Sequence, residues 1–166
     1  MRILYTNTQT IMKTIFPPHE IKGDFKIFLA GSIEMGQCED WQQKIVEQFT
    51  DSDITFLNPR RKDWDSTWEQ KIENAQFNEQ VSWELQGLEE AELIVLYLDP
   101  QTKAPISLLE MGLFANSGKM IVCCPEGYWR KGNVDIVCKR YGVHQVPSLD
   151  ELVKTIKTKA LNKANL

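Results

Sequence analysis

The feature that most constrains the fold of this chain is the unbroken apolar run LIVLYL at residues 93–98. A strand with one wet face alternates apolar and polar side chains, whereas a strand buried on both faces of a sheet is apolar throughout. Six consecutive apolar residues are the strongest strand signal in the chain. They predict a central strand of a parallel sheet that is covered by helices on both faces.

Shorter apolar runs alternate with stretches of helical periodicity along the rest of the chain. Strands are predicted at residues 26–31, 54–57 and 120–124, and helices at residues 41–49, 72–91 and 105–116, with a last helix that Ser148 caps. Strands that alternate with helices form parallel β-α-β units. The pattern predicts an α/β fold with a three-layer, doubly wound sheet over residues 25–166, preceded by an irregular N-terminal arm at residues 1–24.

Composition narrows the chemistry that such a fold carries here. The 166 residues include only two histidines, and the four cysteines form no CxxC pair. So few histidines and unpaired cysteines argue against a disulfide framework, a zinc site or a Ser-His-Asp triad. We therefore expect catalysis by carboxylates without a metal. The net charge of −4, with one tight basic cluster, argues against nucleic acid as a partner. No segment resembles a secretion signal or approaches the roughly 20 apolar residues of a membrane span, so we expect a cytoplasmic protein without a membrane partner.

Glu110 is the single charge in the eleven-residue segment PISLLEMGLFA. Its helical neighbours are mainly apolar, and an isolated buried carboxylate is costly unless it is paired or functional. It lies within about two turns of the predicted helix start, where the helix dipole favours an anion. Two interpretations stand at this point, a capping or bridging carboxylate at a helix start, and a nucleophile or base.

Glu84 is the second candidate for chemistry. It lies three residues after Val81 and four before Leu88, at the margin of the apolar stripe of its predicted helix. Taken alone, a charge that reaches solvent from the stripe edge is the simpler interpretation. Two carboxylates in different environments can divide the roles of nucleophile and acid, so Glu84 gains interest beside Glu110.

Polar segments follow the predicted strands, where a doubly wound sheet binds its ligands. The loop at residues 58–65 (NPRRKDWD) combines hydrogen-bonding groups with the Trp64 indole, which suits a flat polar ring. An ordinary surface loop with an Arg–Asp pair is the alternative. Gly31 and Ser32 follow the first strand, but one glycine is too weak a signal for a dinucleotide fingerprint.

Five segments in this order, KIFLAGSI, NPRR with its following Trp-Asp, QVSWEL, LDPQTKAPISLLEMG and GYWRKGNV, resemble the nucleoside 2-deoxyribosyltransferase-like family over about residues 15–145. The resemblance implies a flavodoxin-like three-layer sandwich with a mainly parallel, five-stranded sheet. It implies homo-oligomers whose active sites are completed by a neighbouring subunit, and it implies no cofactor. The implied reaction transfers 2-deoxyribose from one nucleobase to another through a covalent glycosyl-enzyme ester.

The resemblance also assigns roles to individual residues. Glu110, in an ExG context with Gly112, matches the nucleophile, and Glu84 matches the acid that exchanges a proton with the base. Asn133 matches an asparagine that the neighbouring subunit donates to the sugar hydroxyls. Together with the strand-end positions, the predicted substrate-binding residues are Gly31, Ser32, Asn58, Arg60, Trp64, Asp65, Asp99 and Asn133.

The chain departs from the family pattern at two positions. Phe28 stands where a tyrosine usually precedes LAG, so no phenol from that strand orients the nucleophile. Ala104 stands where an aspartate is usually found six residues before the nucleophile. Asp99 is the nearby acid that would substitute in holding the sugar.

The sequence therefore predicts an enzyme that transfers the sugar of a (deoxy)nucleoside, with a nucleoside or nucleotide and a free nucleobase as partners. One alternative is an N-glycoside hydrolase, whose substrate would carry a 5′-phosphate if Arg60 and Arg61 bind it. Another is a non-catalytic nucleotide sensor with the same pocket. For the enzyme, we expect the helix start to keep Glu110 ionised and an apolar site to keep Glu84 protonated near neutral pH.

Overall fold

The structure is a computed structural model that describes residues 13–34 and 38–164. In that part of the chain the strands are β1 (Lys13–Ile15), β2 (Phe25–Gly31), β3 (Ile54–Leu57), β4 (Leu93–Tyr97), β5 (Met120–Cys123) and β6 (His144–Val146). They form one sheet in the order β1-β3-β2-β4-β5-β6, and all of the strand pairs run parallel. The strand order from β2 to β6 reverses at β2, which gives the doubly wound, flavodoxin-like topology that the sequence predicts.

Helices cover both faces of the sheet. Those described are α1 (Trp41–Val46), α2 (Ala75–Glu90), α3 (Pro105–Phe114), α4 (Lys131–Tyr141) and α5 (Leu149–Ala164). The core on one face includes side chains of α2, α3 and α4, and the core on the other face includes side chains of α1 and α5. Residues of β4 alternate between the two cores, with Ile94 and Leu96 in one and Leu93 and Val95 in the other. The prediction of a central strand buried on both faces is confirmed.

The predicted number of five strands is wrong, because the described residues form six. β1 lies within the arm predicted to be irregular and pairs with β3 at the sheet edge. β6 pairs with β5 at the opposite edge. Each of these strands has three residues, of which only Ile15 and Val146 are buried, so neither leaves an apolar run in the sequence. Helix α4 was also not predicted. Its buried residues, Val134 and Cys138, have helical spacing, but Gly132 and several charged residues weaken the amphipathic pattern around them.

Two glycines allow close approaches, one between the backbones of β2 and β4 and one between helix α2 and the sheet. Gly31 at the end of β2 has a φ of 138°, and a Cβ there would lie 2.1 Å from the carbonyl oxygen of Tyr97. A Cβ at Gly87 would lie 2.7 Å from the ring of Phe28. Phe28 is fully buried in this contact, and its ring also packs near that of Trp83, at 6.1 Å between centroids. A phenylalanine at this position therefore serves helix packing.

At the first turn of the last helix the Ser148 hydroxyl accepts a hydrogen bond from the Glu151 N–H at 3.3 Å, which is the N-cap half of the predicted capping box. Leu152 and Ile156 of the same helix are fully buried, as their stripe predicts. None of the helices described here is both long enough and apolar enough to cross a bilayer.

Candidate active site

The turn before helix α3 is held from two sides. Ala104, which precedes Pro105, has a left-handed φ of 45°. The N–H groups of Lys103 and Ala104 donate hydrogen bonds to Oε1 of Glu34 at 3.1 and 2.8 Å. On the other side, the carbonyl of Lys103 accepts a hydrogen bond from the Tyr128 hydroxyl at 2.6 Å. The start of α3, which carries Glu110, is thereby fixed relative to the loops around it.

Glu110 lies in the second turn of α3 and is buried, with 8% of its surface exposed. Burial, with a smaller contribution from the charge of Glu84, raises the pKa of Glu110 to about 8. The expectation that the helix start keeps Glu110 ionised is therefore wrong for the unliganded protein. Loss of hydration outweighs the helix dipole, because the dipole acts mainly on groups at the first turn.

Glu84 lies on α2 and is half-buried. Burial raises the pKa of Glu84 to about 7, while a hydrogen bond from Gln80 acts in the opposite direction. The Nε2 of Gln80 donates this bond to Oε1 of Glu84 at 2.8 Å. Glu84 is thus half-buried at the margin of the apolar stripe, and its carboxyl group is bound to the buried Gln80 amide.

Glu84 and Glu110 form a pair, because the charge of the first raises the pKa of the second. They come from α2 and α3, which pack on the same face of the sheet. Two desolvated carboxyls within electrostatic reach of each other resist being ionised together. The pKa values of both carboxyls are thus raised toward neutrality, which suits a site that needs both an anion and an acid.

Two nitrogens of the Arg60 guanidinium donate hydrogen bonds within the protein. Its Nε donates to Oε1 of Gln42 at 2.9 Å, and its terminal nitrogen donates to the carbonyls of Cys38 and Glu39 at 3.2 and 2.8 Å. Asn58 is buried, and its side-chain oxygen accepts from the Arg60 N–H at 3.0 Å. These two predicted substrate ligands hold the loop after β3 against α1, and their contact with a substrate stays a prediction.

The rest of this loop is also organised by its own side chains. The Trp64 ring packs edge-on against Trp68, at 5.2 Å between centroids, and its buried Nε1 lacks a hydrogen-bond partner among the described residues. The Asp65 carboxylate accepts bonds from the N–H and hydroxyl of Thr67, which lowers the pKa of Asp65. Arg61 donates to Asp63 and Glu79, as the predicted Arg–Asp pair of a surface loop does.

At the carboxyl end of the sheet, Ser32 links two loops. Its hydroxyl lies 2.6 Å from that of Thr102 and accepts a bond from the Asp99 N–H at 2.9 Å. Ser32 is fully buried, so it positions the loop before α3. Asp99 borders a cavity of about 440 Å³, which Glu34, Glu39 and other polar residues also line. Asp99 thus borders this cavity, whereas Ser32 is buried beneath the loop.

Asn133 lies on the first turn of α4 with its side chain exposed. It is thus available to another molecule, and its role stays a prediction. Among the residues that the structure describes, no group of three His, Cys, Asp or Glu side chains is arranged to hold a metal ion. The four cysteines are free thiols.

Two residues of the site were missed by the sequence analysis. Glu34 has no motif around it, and its contact with the α3 turn spans 70 positions of sequence. Gln80 lies four residues before Glu84, a spacing that places two side chains on one helix face. That spacing is the signal that points to Gln80.

The fold and the carboxyl pair define a flavodoxin-like α/β protein whose candidate site is built on two helix-borne glutamates. The sequence profile of the family described as nucleoside 2-deoxyribosyltransferase like matches residues 24–128. The chain belongs to this family, and its expected flavodoxin-like fold is present.

A solved structure shares the fold. The crystal structure of a conserved protein from Enterococcus faecalis V583 superimposes with a TM-score of 0.59, covering 81% of this chain and 98% of that one at 17% identity. At this identity the likeness concerns the fold alone. No curated protein matches the chain significantly.

Proposed function

We propose that the protein transfers a deoxyribosyl group between nucleobases by a retaining mechanism, with Glu110 as nucleophile and Glu84 as acid. The observation that carries the proposal is that α2 and α3 place two carboxyl groups, the half-buried Glu84 and the buried Glu110, on the same face of the sheet, where burial raises the pKa of each. A sensor that only binds has little need for two desolvated carboxyls. Family membership supports the same chemistry.

The proposed step conserves atoms and charge. A carboxylate oxygen of Glu110 forms a bond to C1′ while the bond from C1′ to the base nitrogen breaks. The electron pair of the broken bond stays with the base, and the proton of Glu84 neutralises the leaving base. An incoming base then attacks C1′ and returns its proton to Glu84, which releases Glu110.

The charges around the site favour a nucleoside over a nucleotide. Arg60, named above as a candidate for a 5′-phosphate, is engaged with Gln42 and with two backbone carbonyls. Arg61 is engaged with carboxylates and lies over the Trp68 ring at 5.0 Å. Because both guanidinium groups are engaged within the protein, we infer a nucleoside without a 5′-phosphate.

Exposed apolar side chains support a homo-oligomer with shared sites. On α3, Ile106, Leu109 and Leu113 are 59%, 61% and 59% exposed, and Val81 and Leu85 of α2 are also exposed. An apolar patch of this kind on the helices that carry the two glutamates fits an interface with a second copy. Asn133 of that copy is proposed to reach the sugar.

A trapping experiment tests the nucleophile. The protein is incubated with a panel of deoxynucleosides, quenched in acid and digested, and the peptide that contains residue 110 is analysed by mass spectrometry. A deoxyribosyl adduct on Glu110 that is absent from Glu110→Gln supports the proposal. Full turnover by Glu110→Gln contradicts it.

A second incubation separates transfer from hydrolysis. A deoxynucleoside is supplied with and without a different free base, and the products are separated by chromatography. New nucleoside indicates transfer, whereas free sugar in both samples indicates a hydrolase. A nucleoside that is bound but unchanged indicates a sensor.

A further inference from the structure

A single buried amide connects Glu84 to the loop after β3. The Nε2 of Gln80 donates hydrogen bonds to Oε1 of Glu84 at 2.8 Å and to the Pro59 carbonyl at 2.9 Å. Gln80 is 4% exposed, and its Oε1 is buried without a partner in the described part of the chain. A buried acceptor without a donor lowers the stability of the folded state, and such atoms are rare in proteins.

The contacts fix the orientation of the amide. If the amide group turned by 180°, Oε1 of Gln80 would face two other acceptors, the Pro59 carbonyl and the Glu84 carboxylate. The two hydrogens of Nε2 are therefore both used, and Oε1 is left over. In this orientation both bonds from Nε2 are made, and Oε1 is the atom that stays without a partner.

The donated bond makes the two oxygens of Glu84 unequal. An oxygen that accepts an N–H bond holds negative charge better and binds a proton less readily. When Glu84 is neutral, its proton therefore lies on Oε2, the oxygen that Gln80 does not contact. The amide also connects this carboxyl to the segment that begins the predicted base-binding loop.

We propose that Gln80 is a positioning residue that holds Oε1 of Glu84 as an acceptor and leaves Oε2 as the oxygen that carries the proton to the departing base. The inference rests on the proposed function, because it takes Glu84 as the acid. Gln80 acts through Glu84 and contributes no proton itself.

The charges near Glu84 are few. The neighbouring helix α3 presents Glu110, whose pKa responds to the charge of Glu84. On α2 and in the loop after β3, the groups in contact are the neutral Gln80 amide and the neutral Pro59 carbonyl. Burial raises the pKa of Glu84, and the bond from Gln80 limits that rise. Removing the amide is therefore expected to raise the pKa further.

The first experiment measures titration without turnover. Glutamate labelled with ¹³C at Cδ is incorporated, the Glu84 signal is assigned with Glu84→Gln, and its pKa is compared between wild type and Gln80→Met. A rise of about one pKa unit is expected. The matched control is Gln86→Met, because Gln86 donates to Glu90 at 2.7 Å with the same spacing on the exposed side of α2. An unchanged Glu84 pKa in Gln80→Met overturns the proposal.

The second experiment measures the pH dependence of turnover. In Gln80→Met the alkaline limb of kcat is expected to move up by about one pH unit, with kcat at the optimum lower by about tenfold and KM nearly unchanged. Gln86→Met should behave as wild type. If kcat falls while the alkaline limb stays, Gln80 is merely structural and the proposal is wrong.

A second variant covers a failure of Gln80→Met to fold. Gln80→Glu retains a polar side chain of the same size but places a like charge beside Glu84, so the pKa of Glu84 should rise by more than in Gln80→Met. A lower Glu84 pKa in this variant contradicts the proposal. The proposed function and the proposed role of Gln80 can fail separately. Absence of turnover with every nucleoside contradicts the function, whereas the NMR titration tests the role of Gln80 alone.

Discussion

One contact distinguishes the two glutamates. Both carboxyls are desolvated, but Glu84 accepts a hydrogen bond from Gln80, while Glu110 accepts none from the side chains that the structure describes. Burial raises the pKa of Glu84 to about 7 and that of Glu110 to about 8, and two such groups resist being ionised together. Positive charge that develops on the sugar favours the anion on Glu110. In the proposed mechanism the anion is therefore on Glu110 and the proton on Glu84, where the leaving base needs it.

The first prediction concerns the pH dependence of kcat/KM. Below about pH 7 both carboxyls are protonated and the nucleophile is lost, and above about pH 8 both are ionised and the acid is lost. We expect a narrow bell-shaped profile with its maximum between these values. Initial rates with a saturating acceptor base check it across pH 5 to 10, in buffers of constant ionic strength. A profile that stays flat from pH 5 to 7 would contradict the paired assignment.

The second prediction concerns stability rather than activity. The folded-state pKa of Glu110, about 8, is above its ordinary value of 4.5, so the folded state favours the neutral form. Its contribution to stability is full below about pH 4.5 and is lost as the pH rises through about 8. Glu110→Gln keeps a neutral group at every pH. We expect its Tm to exceed that of wild type by on the order of 5 °C at pH 8.5, with little difference at pH 4.5.

Calorimetry at the two pH values checks this prediction, with the exposed Glu90→Gln as the control. An equal Tm for wild type and Glu110→Gln at pH 8.5 would mean that the ionised carboxylate is not penalised by burial. The combination of higher stability and lost turnover is the expected signature of a residue that is kept for chemistry.

The candidate nucleophile could be predicted from sequence because a lone charge in an apolar helix is costly wherever that helix packs. The protonation state of Glu110 could not, since it depends on how completely α2 and the sheet exclude water. The hydrogen-bonding roles of Ser32 and Arg60 could not be predicted from the sequence either. Their partners, Thr102 and Gln42, lie 70 and 18 positions away, and only the fold brings them into contact.

At the scale of elements, helix α2 is anchored at both ends. The side chain of Asn74 accepts a hydrogen bond from the Phe77 N–H at 2.9 Å and caps the first turn. At the other end, Nζ of Lys119 donates to the carbonyls of Leu88, Glu89 and Ala91 at 2.7, 2.7 and 2.8 Å. A cation here satisfies free carbonyls and complements the helix dipole. The anchoring fixes the register of the helix that carries Glu84.

The third prediction tests that anchor. Lys119→Met keeps an apolar stem of similar length but leaves three carbonyls without their donor. We expect a loss of about 2 kcal/mol in the free energy of unfolding, because hydrogen bonds to a charged group contribute more than neutral ones. Urea titration followed by circular dichroism measures it. Lys154→Met is the control, since that lysine makes an exposed ion pair with Glu151, and a loss of similar size in both variants would refute the specific role of Lys119.

The elements that the sequence predicts are those with a strong local pattern. Strand β4 and helix α5 have an apolar run and a capped stripe that would be buried in any packing. Strands β1 and β6 each depend on a single buried side chain and on pairing with a neighbour whose position is set by the whole sheet. These two strands form because of tertiary contacts, so local periodicity in the sequence does not predict them.

At the scale of the whole molecule, the two helices that carry the catalytic candidates, α2 and α3, also carry exposed apolar side chains. Leu109 and Leu113 of α3 are exposed, yet Glu110 between them is buried. A second copy packed on this surface would extend the water-excluded region over the carboxyl pair. In a two-fold dimer each partner would present the same elements to the other, Asn133 included.

The fourth prediction is complementation between two inactive variants. Glu110→Gln lacks the nucleophile but keeps Asn133, and Asn133→Ala has the opposite defect. If each site combines Glu110 of one subunit with Asn133 of its partner, a mixed dimer contains one intact site and one site with both defects. Random exchange makes about half of the dimers mixed, so about a quarter of the wild-type activity should return when the variants are unfolded and refolded together. Each variant refolded alone controls for self-recovery, and a mixture without recovered activity would locate Glu110 and Asn133 in separate sites or in the same subunit.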